Sequence, residues 1–375
     1  MAISIFVYSV VIILILITSA MSRYASYNLT HRQSNVPWLS IIIFSLVFGV
    51  RYNVGIDQLA YIEMYQAYRM ANIIPDTEAG FFQIIKFFAD LGCHYSVFFT
   101  FLAFLQMSLI FISIKDYPKQ HSFIIITFFL LTTFLNFMNG IRQEIAFCFW
   151  ALAVYFMSQK KFIPYVISIL LGTSCHLSAI ILLPFYFIYS IKDSFFNNVK
   201  LQIVLLALAI IAYNTFNMVS LIFDNVIQVA SLMGYYGYFG MVSEGNTDFI
   251  EPSRNIGLGY YIILLLNIII VLYSKKVKSY YNNRQYNILY DLYYFGVLFL
   301  YLANGSIALQ RINYYFYNFN FIVGAFTLYY LYKEKNIKHT LVLCLMLLCY
   351  FLIFSAIVIY RGGESCAIYN TIWNI

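Results

Sequence analysis

The chain has 375 residues, of which 62% are hydrophobic and only 10% are charged, and its formal net charge is +7. Globular proteins contain about 45–50% apolar and about 25% charged residues, so this composition excludes a soluble enzyme or a soluble binding domain. The basic residues are scattered between apolar runs and form no stripe. This pattern excludes a nucleic-acid-binding surface and indicates membrane topology instead.

Apolar runs near the length needed to cross a ~30 Å hydrocarbon core recur along the whole chain. They predict an all-α fold, a polytopic transmembrane helix bundle of about twelve spans, organised as a single transmembrane domain over residues 1–375. The predicted spans are 3–20, 37–50, 96–114, 122–138, 143–158, 162–174, 177–191, 201–222, 256–273, 287–303, 312–332 and 339–360.

One segment is apolar but too short and too charged to span. Residues 80–92 (GFFQIIKFFADLG) are apolar on one face and carry Lys86 and Asp90 on the other, which predicts a short interfacial or re-entrant helix. This segment belongs to the first of two long polar loops, about 51–95, and the second loop covers about 223–255. Loops on a rigid scaffold commonly carry function, so the face with both loops is the predicted site.

The basic residues predict the orientation of the bundle, because cytoplasmic loops carry an excess of Lys and Arg. An N-terminus outside puts fifteen of the 22 basic residues inside and both long loops outside. With an even number of spans, the C-terminus is outside as well. The predicted outer basic residues are mostly arginines, namely Arg51, Arg69, Arg142, Arg254, Arg311 and Arg361, with Lys86 as the one lysine. A guanidinium can hold a phosphate through two parallel hydrogen bonds, so these arginines predict an anion-binding site.

The first candidate motif, RYNVGID, follows the second predicted span. Arg51 stands at the end of that span, and Asp57 follows beyond a glycine. One interpretation is an Arg–Asp pair that closes a helix end at the interface. The other is an Arg that binds an anionic headgroup, with Asp57 orienting it or accepting a proton.

A second motif, NGIRQE, occupies residues 139–144 between two apolar spans. Because there is almost no loop, Arg142 and Glu144 are predicted at or below the headgroup plane, where ionisable groups are costly and tend to line a cavity. The alternative is a capping role that only joins the two spans.

Three further polar positions lie on the predicted outer face. His176 stands in the tight turn CHLSA and is either an interfacial residue or a general base or phosphate donor. Arg311 stands in QRINYYF, where a span re-enters from outside, and Arg254 ends the second long loop. No second His or Cys has metal-ligand spacing, so neither a metal nor another cofactor is predicted.

Taken in order, the motifs RYNVGID, EAGF, NGIRQEIA, HLSA and QRINYYF resemble those of the EpsG family, which belongs with the Wzy-type polymerases of O-antigen and exopolysaccharide synthesis. The resemblance covers about residues 45–330. The chain departs from the family's pattern at EAGF, where a proline is expected in place of Ala79. The resemblance also implies a fold like that of the GT-C class of lipid-linked glycosyltransferases.

The resemblance implies a membrane glycosyltransferase, a polysaccharide polymerase that needs no metal. It would join undecaprenyl-diphosphate-linked oligosaccharide repeat units, as in lipopolysaccharide synthesis, at the outer, periplasmic face of the bacterial cytoplasmic (inner) membrane. Its partners would be membrane lipids, a flippase and a chain-length regulator. The predicted diphosphate-binding residues are Arg51, Arg142, Arg254 and Arg311. The candidates for the base that deprotonates the attacking hydroxyl are His176, Asp57 and Glu144.

Other activities remain open. An O-antigen ligase would use the same groups to pass a finished glycan to a different acceptor. A lipid-linked oligosaccharide flippase or transporter would place charged residues near the bilayer midplane, often in two related halves. In this chain the predicted charges collect at one face and no halves repeat, which disfavours a transporter. A purely structural membrane scaffold is the remaining alternative.

Overall fold

The structure is a computed structural model that describes residues 2–28, 36–215, 257–302, 307–360 and 369–372. Within these ranges the fold is all-α, as predicted, and the one extended pairing is an isolated antiparallel bridge between Arg51 and Thr371. Helices α1–α9 are Ala2–Asn28, Trp38–Gly49, Gln58–Ala71, Ala79–Asp90, Tyr95–Ser113, His121–Leu130, Thr133–Asn139, Ile141–Ser158 and Phe162–Cys175. Helices α10–α16 are Phe185–Ile191, Val199–Thr215, Leu258–Tyr281, Arg284–Leu302, Ile307–Tyr317, Asn320–Lys333 and Ile337–Phe354. Short 3-10 helices cover Pro118–Gln120 and Leu177–Leu182, and a π-helical turn covers Ser355–Tyr360.

Among the described residues, three helical segments are long and apolar enough to cross a membrane alone: α5, α12 and Ile337–Val358. The predicted span 122–138 is a bent pair, because α6 and α7 meet at an angle of 71°. The bend lies at Thr132, which has a left-handed φ of 58°. Several shorter apolar helices accompany these segments. The chain is thus a multi-pass membrane protein, and the number of about twelve spans stays a prediction.

The chain divides into two compact units, one formed by Met1–Tyr186 with Gly324–Ile375 and the other by Phe187–Val323. The core of the first unit is built on α5 and α8, which pack against each other, with α2 against α5 and α9 against α8. Helix α8 is apolar on nearly all faces, and Trp150 and Val154 on it are fully buried. A helix of that composition can only be stable in the centre of a protein or in a membrane.

Large apolar side chains form exposed stripes on the outer helices of the first unit. On α9 the side chains of Ile163, Ile167 and Leu170 are 69%, 51% and 51% exposed. On α16 a second stripe includes Leu341 and Leu345, which are 67% and 39% exposed. This spacing of three and four residues covers one helix face, and such a face is stable against lipid tails but not against water.

The predicted interfacial helix is α4, and it is amphipathic. Phe81 and Ile85 on its apolar face are fully buried in a cluster shared with α3 and α5, whereas Phe87 is 59% exposed. Its polar face carries an exposed ion pair, with Lys86 Nζ 3.0 Å from Asp90 Oδ2. Helix α3 was not predicted, because the sequence pattern indicated a loop over 51–95 with α4 as its one short helix.

Residues 369–372 run along the end of α2, where the first long loop begins. The N–H of Tyr52 donates to the carbonyl of Asn370 and the N–H of Ile372 donates to the carbonyl of Val50, both at 3.0 Å. The buried ring of Tyr369 adds a hydrogen bond from its hydroxyl to the carbonyl of Val47. The two segments therefore lie side by side at the same end of the first unit.

The second unit contains a buried ion pair between α12 and α13. Lys278 Nζ lies 2.7 Å from Asp291 Oδ1, and the two side chains are 9% and 0% exposed. The ammonium also donates to Ser194 Oγ and to the carbonyl of Phe196, each at 2.8 Å. The sequence predicts Lys278 in a cytoplasmic loop, but the structure places it in the last turn of α12 as a packed side chain.

Candidate functional site

Four of the sequence motifs meet at one end of the first unit. The backbone N–H of Asp57, before α3, donates to Oδ1 of Asn139, the last residue of α7, at 2.9 Å. Glu78, before α4, bonds Arg142 on α8 at 2.7 Å and accepts a bond from the backbone N–H of Leu177, after α9, at 3.4 Å. The motifs are far apart in the chain, so the fold alone brings them together.

We call this group of residues the ion-pair cluster: Asp57, Tyr61, Glu78, Arg142 and His176. Arg142 stands in the first turn of α8, which directs its side chain back toward the start of the helix. Its NH1 donates to Glu78 Oε2 and, at 3.0 Å, to Thr77 Oγ1. Its Nε is buried and has no hydrogen-bond partner among the described residues. The guanidinium therefore has donor capacity beyond what the carboxylate uses.

Glu78 is the N-cap residue of α4, with extended backbone angles and no hydrogen bond from its side chain to the helix. Its carboxylate therefore turns away from its own helix and toward Arg142. Burial alone would raise the pKa of the Glu78 carboxyl, but the positive charge of Arg142 and hydrogen bonds outweigh it, with a smaller contribution from His176. The pKa is held below its usual range, so Glu78 is ionised at neutral pH.

A glycine fixes the position of Glu78 against α9. A Cβ on Gly80 would lie 2.2 Å from Ser174 Oγ and 2.7 Å from the Ser174 carbonyl oxygen, far inside contact distance. Only a residue without a side chain lets the start of α4 approach the last turn of α9 so closely. This approach carries Glu78 to the backbone N–H of Leu177.

Tyr61 lies on the α3 side of Arg142. Its ring packs on Phe81 with a centroid distance of 5.7 Å, and the side chain is buried. Burial raises the pKa of the Tyr61 hydroxyl, and the charge of Arg142 only partly offsets this rise. Tyr61 is thus a neutral hydroxyl next to the guanidinium, and Asp57 is close enough to Tyr61 to act on it electrostatically.

His176 follows α9 in an extended conformation, and its backbone N–H donates to the carbonyl of Gly172 at 2.9 Å. The ring is buried, and Nδ1 lies 2.8 Å from Ser178 Oγ, with the donor set by the ring tautomer. This contact fixes the ring orientation beside Glu78. His176 is therefore placed to act on the carboxylate as well as on a ligand.

Arg51 is placed differently from Arg142. It is 2% exposed, and its NH1 and NH2 donate to the carbonyls of Phe48 and Met138 at 2.6 and 2.8 Å. The guanidinium also lies over the ring of Phe99, 5.3 Å from its centroid. Arg51 thus joins the last carbonyls of α2 and α7, where the helix dipoles favour a cation.

The other predicted site residues are spread over the chain. Glu144 is buried in the first turn of α8, with its backbone N–H bonded to the carbonyl of Gly140 at 3.0 Å. Arg311 lies on α14 in the second unit and is exposed. Arg254 lies outside the described residues. The ion-pair cluster therefore contains Asp57, Arg142 and His176 from the predicted set.

Glu78 and Tyr61 join the cluster without having been predicted as site residues. For Glu78 a signal existed in the sequence, because EAGF is one of the ordered motifs. For Tyr61 the signal was weaker, because an aromatic residue on the predicted outer face could stack on a sugar ring but is indistinguishable in composition from a packing residue. Within the described part of the chain, no three His, Cys, Asp or Glu side chains are grouped as a metal site requires.

Comparison with known proteins identifies a matching family. The sequence model of the EpsG family matches residues 35–371, which is nearly the whole chain and includes all the motifs of the cluster. No curated protein matches the chain. No solved structure matches it either.

Proposed function

Since the chain belongs to the EpsG family, a family of Wzy-like polymerases, we propose that it polymerises polysaccharide from oligosaccharide repeat units carried on undecaprenyl diphosphate. Family membership indicates a membrane glycosyltransferase or polymerase of the Wzy type. The donor glycan leaves its lipid diphosphate and is transferred to a hydroxyl of a second lipid-linked unit. The reaction takes place on the outer face of the cytoplasmic membrane.

The observation that carries the proposal is the meeting of Arg142 with the EAGF and HLSA motifs in one cluster. A diphosphate leaving group gains negative charge as the glycosidic bond breaks. A fixed guanidinium aimed at that charge lowers the barrier, because its attraction to the diphosphate is stronger in the transition state than in the ground state. The unused Nε of Arg142 offers the second donor that bidentate phosphate binding needs.

The remaining predicted residues take different roles in this proposal. Arg254 and Arg311 are proposed as further diphosphate ligands, because the two diphosphates of donor and acceptor need more than one cation. Arg51 fixes the end of α7, directly before α8, through its bond to the Met138 carbonyl. The proton of the acceptor hydroxyl is taken up within the cluster, for which Asp57 and His176 are candidates, together with Glu144.

The bundle suits these substrates physically. Polyprenyl chains enter from the side, between helices whose outer faces are apolar stripes, and only the diphosphate and sugars need polar surroundings. The predicted outer face carries six arginines and one lysine, although topology alone needs only positive charge. A flippase that delivers the lipid-linked units and a chain-length regulator are the proposed protein partners.

The test is transfer by the purified protein in detergent, with undecaprenyl-diphosphate-linked repeat units as the only substrate and EDTA present. A ladder of glycans that survives the chelator supports a polymerase without a divalent metal. Addition of one preformed glycan to a different acceptor would instead identify a ligase. Movement of labelled lipid across vesicle membranes without any new glycosidic bond would identify a transporter and refute the proposal.

A further inference from the structure

The ion pair between Glu78 and Arg142 has a consequence for the reaction. Arg142 is the residue proposed to bind the donor diphosphate, yet without substrate its NH1 is bound to Glu78 Oε2 at 2.7 Å. Both side chains are partly accessible, at 30% for Arg142 and 21% for Glu78. A ligand that reaches Arg142 therefore also reaches Glu78.

A diphosphate competes well for this guanidinium. Glu78 takes one donor nitrogen of Arg142 and leaves Nε, which is buried and without a hydrogen-bond partner among the described residues. The disubstituted diphosphate carries two negative charges, against one on a carboxylate, and can bond two guanidinium nitrogens at once. Binding the diphosphate satisfies Nε and draws the guanidinium away from Glu78.

Resting on the function proposed above, we propose that Glu78 is the catalytic base of the transfer and that the donor diphosphate activates it by displacing it from Arg142. In the free protein, Arg142 keeps Glu78 ionised but weakly basic. Once Arg142 bonds the phosphate, the partly buried carboxylate loses its counter-charge while it stays bonded to the Leu177 N–H. A carboxylate in that state has a raised proton affinity.

Within the cluster, the acceptor hydroxyl then loses its proton and the donor glycan is transferred to its oxygen. Glu78 Oε2 accepts the proton of the acceptor hydroxyl, and the acceptor oxygen forms a bond to the anomeric carbon of the donor sugar. The bond between that carbon and the phosphate oxygen breaks, and its electron pair leaves on the diphosphate held by Arg142. Glu78 afterwards returns the proton to water and re-forms the ion pair when the lipid diphosphate departs.

The geometry favours Glu78 over the three predicted bases. Glu144 is 2% exposed and His176 is 8% exposed with its Nδ1 against Ser178 Oγ. Asp57 is partly exposed, and its backbone N–H donates to Asn139 Oδ1. Glu78 combines a partly accessible carboxylate with a direct bond to the proposed diphosphate ligand Arg142.

The groups that face Glu78 determine its pH dependence. They are Arg142 on α8, His176 after α9, and Cys175 in the last turn of α9. Tyr61, the member of the cluster on α3, interacts with Arg142. In the free protein the pKa of Glu78 lies below its usual range, and in the complex with diphosphate it rises. The acid limb of the turnover rate at saturating donor therefore reports Glu78, and below that limb Glu78 is protonated and inactive.

The experiment compares wild type with Glu78→Gln, which keeps the size and the acceptor oxygen but removes the charge. Two measurements are made on each purified protein: binding of undecaprenyl diphosphate and the rate of glycan-ladder formation. We expect diphosphate binding as tight as in wild type or several-fold tighter, because nothing competes for Arg142. We expect the rate to fall by roughly 10²–10⁴-fold, the usual contribution of a general base, and the acid limb to disappear.

Two further variants sharpen the test. Glu78→Asp keeps a carboxylate, so it should retain part of the activity with a displaced acid limb. Asp90→Asn makes the same carboxylate-to-amide change on the same helix, in the exposed pair with Lys86, and should match wild type in both measurements.

The outcomes separate this inference from the proposed function. Wild-type turnover in Glu78→Gln, or weaker diphosphate binding together with slower transfer, would overturn the base assignment and leave the polymerase intact. A wild-type protein that neither binds undecaprenyl diphosphate nor forms a ladder would remove the proposed function and this inference with it.

Discussion

Replacing Gly80 with alanine tests whether the cluster depends on the close approach of α4 to the end of α9. The new Cβ would lie 2.2 Å from Ser174 Oγ, 2.6 Å from Ser174 Cβ and 2.7 Å from the Ser174 carbonyl oxygen. Carbon atoms pack at about 3.5–4.0 Å, so the start of α4 must move away by roughly 1 Å. The bond from the Leu177 N–H to Glu78 Oε1 is already 3.4 Å long, and this movement breaks it.

Two opposing terms determine the stability of the Gly80→Ala protein. Overpacking costs about 1–3 kcal/mol, whereas alanine in place of glycine within a helix contributes about 1 kcal/mol in favour of folding. The net cost is about 0–2 kcal/mol, which does not prevent folding. Misplacement of a reacting group by about 1 Å lowers a rate by roughly 100-fold. We therefore expect a folded protein that makes little polymer.

The assay is the amount and length distribution of surface polysaccharide in cells, normalised to the level of the protein in the membrane. Gly259→Ala is the matched control, because Gly259 is also the second residue of its helix and a Cβ there meets nothing within 4 Å. Adding Ser174→Gly to Gly80→Ala removes two of the three clashing atoms but keeps the carbonyl oxygen, so recovery should be partial. Wild-type polymer from Gly80→Ala at wild-type level would refute this reasoning.

Two further predictions concern stability and are measured by thermal unfolding in detergent. Ala79→Pro should stabilise the protein by about 0.4–1 kcal/mol. Ala79 is the first residue of α4, a position that suits proline, and the backbone angles of Glu78, φ −62° and ψ 143°, allow a following proline. A lower unfolding midpoint than in wild type would contradict this helix start. Lys278→Met should cost about 3–5 kcal/mol, because it leaves Asp291 charged and buried. The control for Lys278→Met is Lys276→Met, because the ammonium of Lys276 is exposed and lies 5.4 Å from the ring of Tyr273. Equal unfolding midpoints for the two variants would show that the buried pair contributes nothing to stability.

The long apolar helices could be predicted from the sequence, but the breaks in other spans could not. The predicted span 96–114 is α5 within one residue at each end. The predicted spans 122–138 and 312–332 are each two helices, with breaks around Thr132 and Asn318. Hydropathy measures composition and not backbone angles, and neither residue is the glycine or proline that commonly marks a break. Helix α3 was missed because it is apolar mainly on the face that packs against α4 and α5. The polar residues on its other face lower its mean hydropathy to that of a loop.

For the candidate site, residue types were predictable and partners were not. Arg142, His176 and Asp57 were identified from charge, depth and motif order, and the structure brings them into one cluster. Glu78 is separated from Arg142 by 64 positions, and no local pattern encodes that pairing. The departure from the family at Ala79 is explained by the fold, because either alanine or proline can occupy the first position of a helix.

The central claim is that Arg142 holds the donor diphosphate through a bidentate fork. It is tested most directly by glycan-ladder formation in detergent from undecaprenyl-diphosphate-linked repeat units, comparing wild type, Arg142→Lys and Arg69→Lys. Arg69 is an exposed arginine that donates to the Gly92 carbonyl at 3.0 Å, outside the cluster, so its variant controls for the loss of any guanidinium. The account predicts ladders from wild type and Arg69→Lys and a roughly 10²–10³-fold slower reaction for Arg142→Lys. A full ladder from Arg142→Lys at the wild-type rate would contradict it.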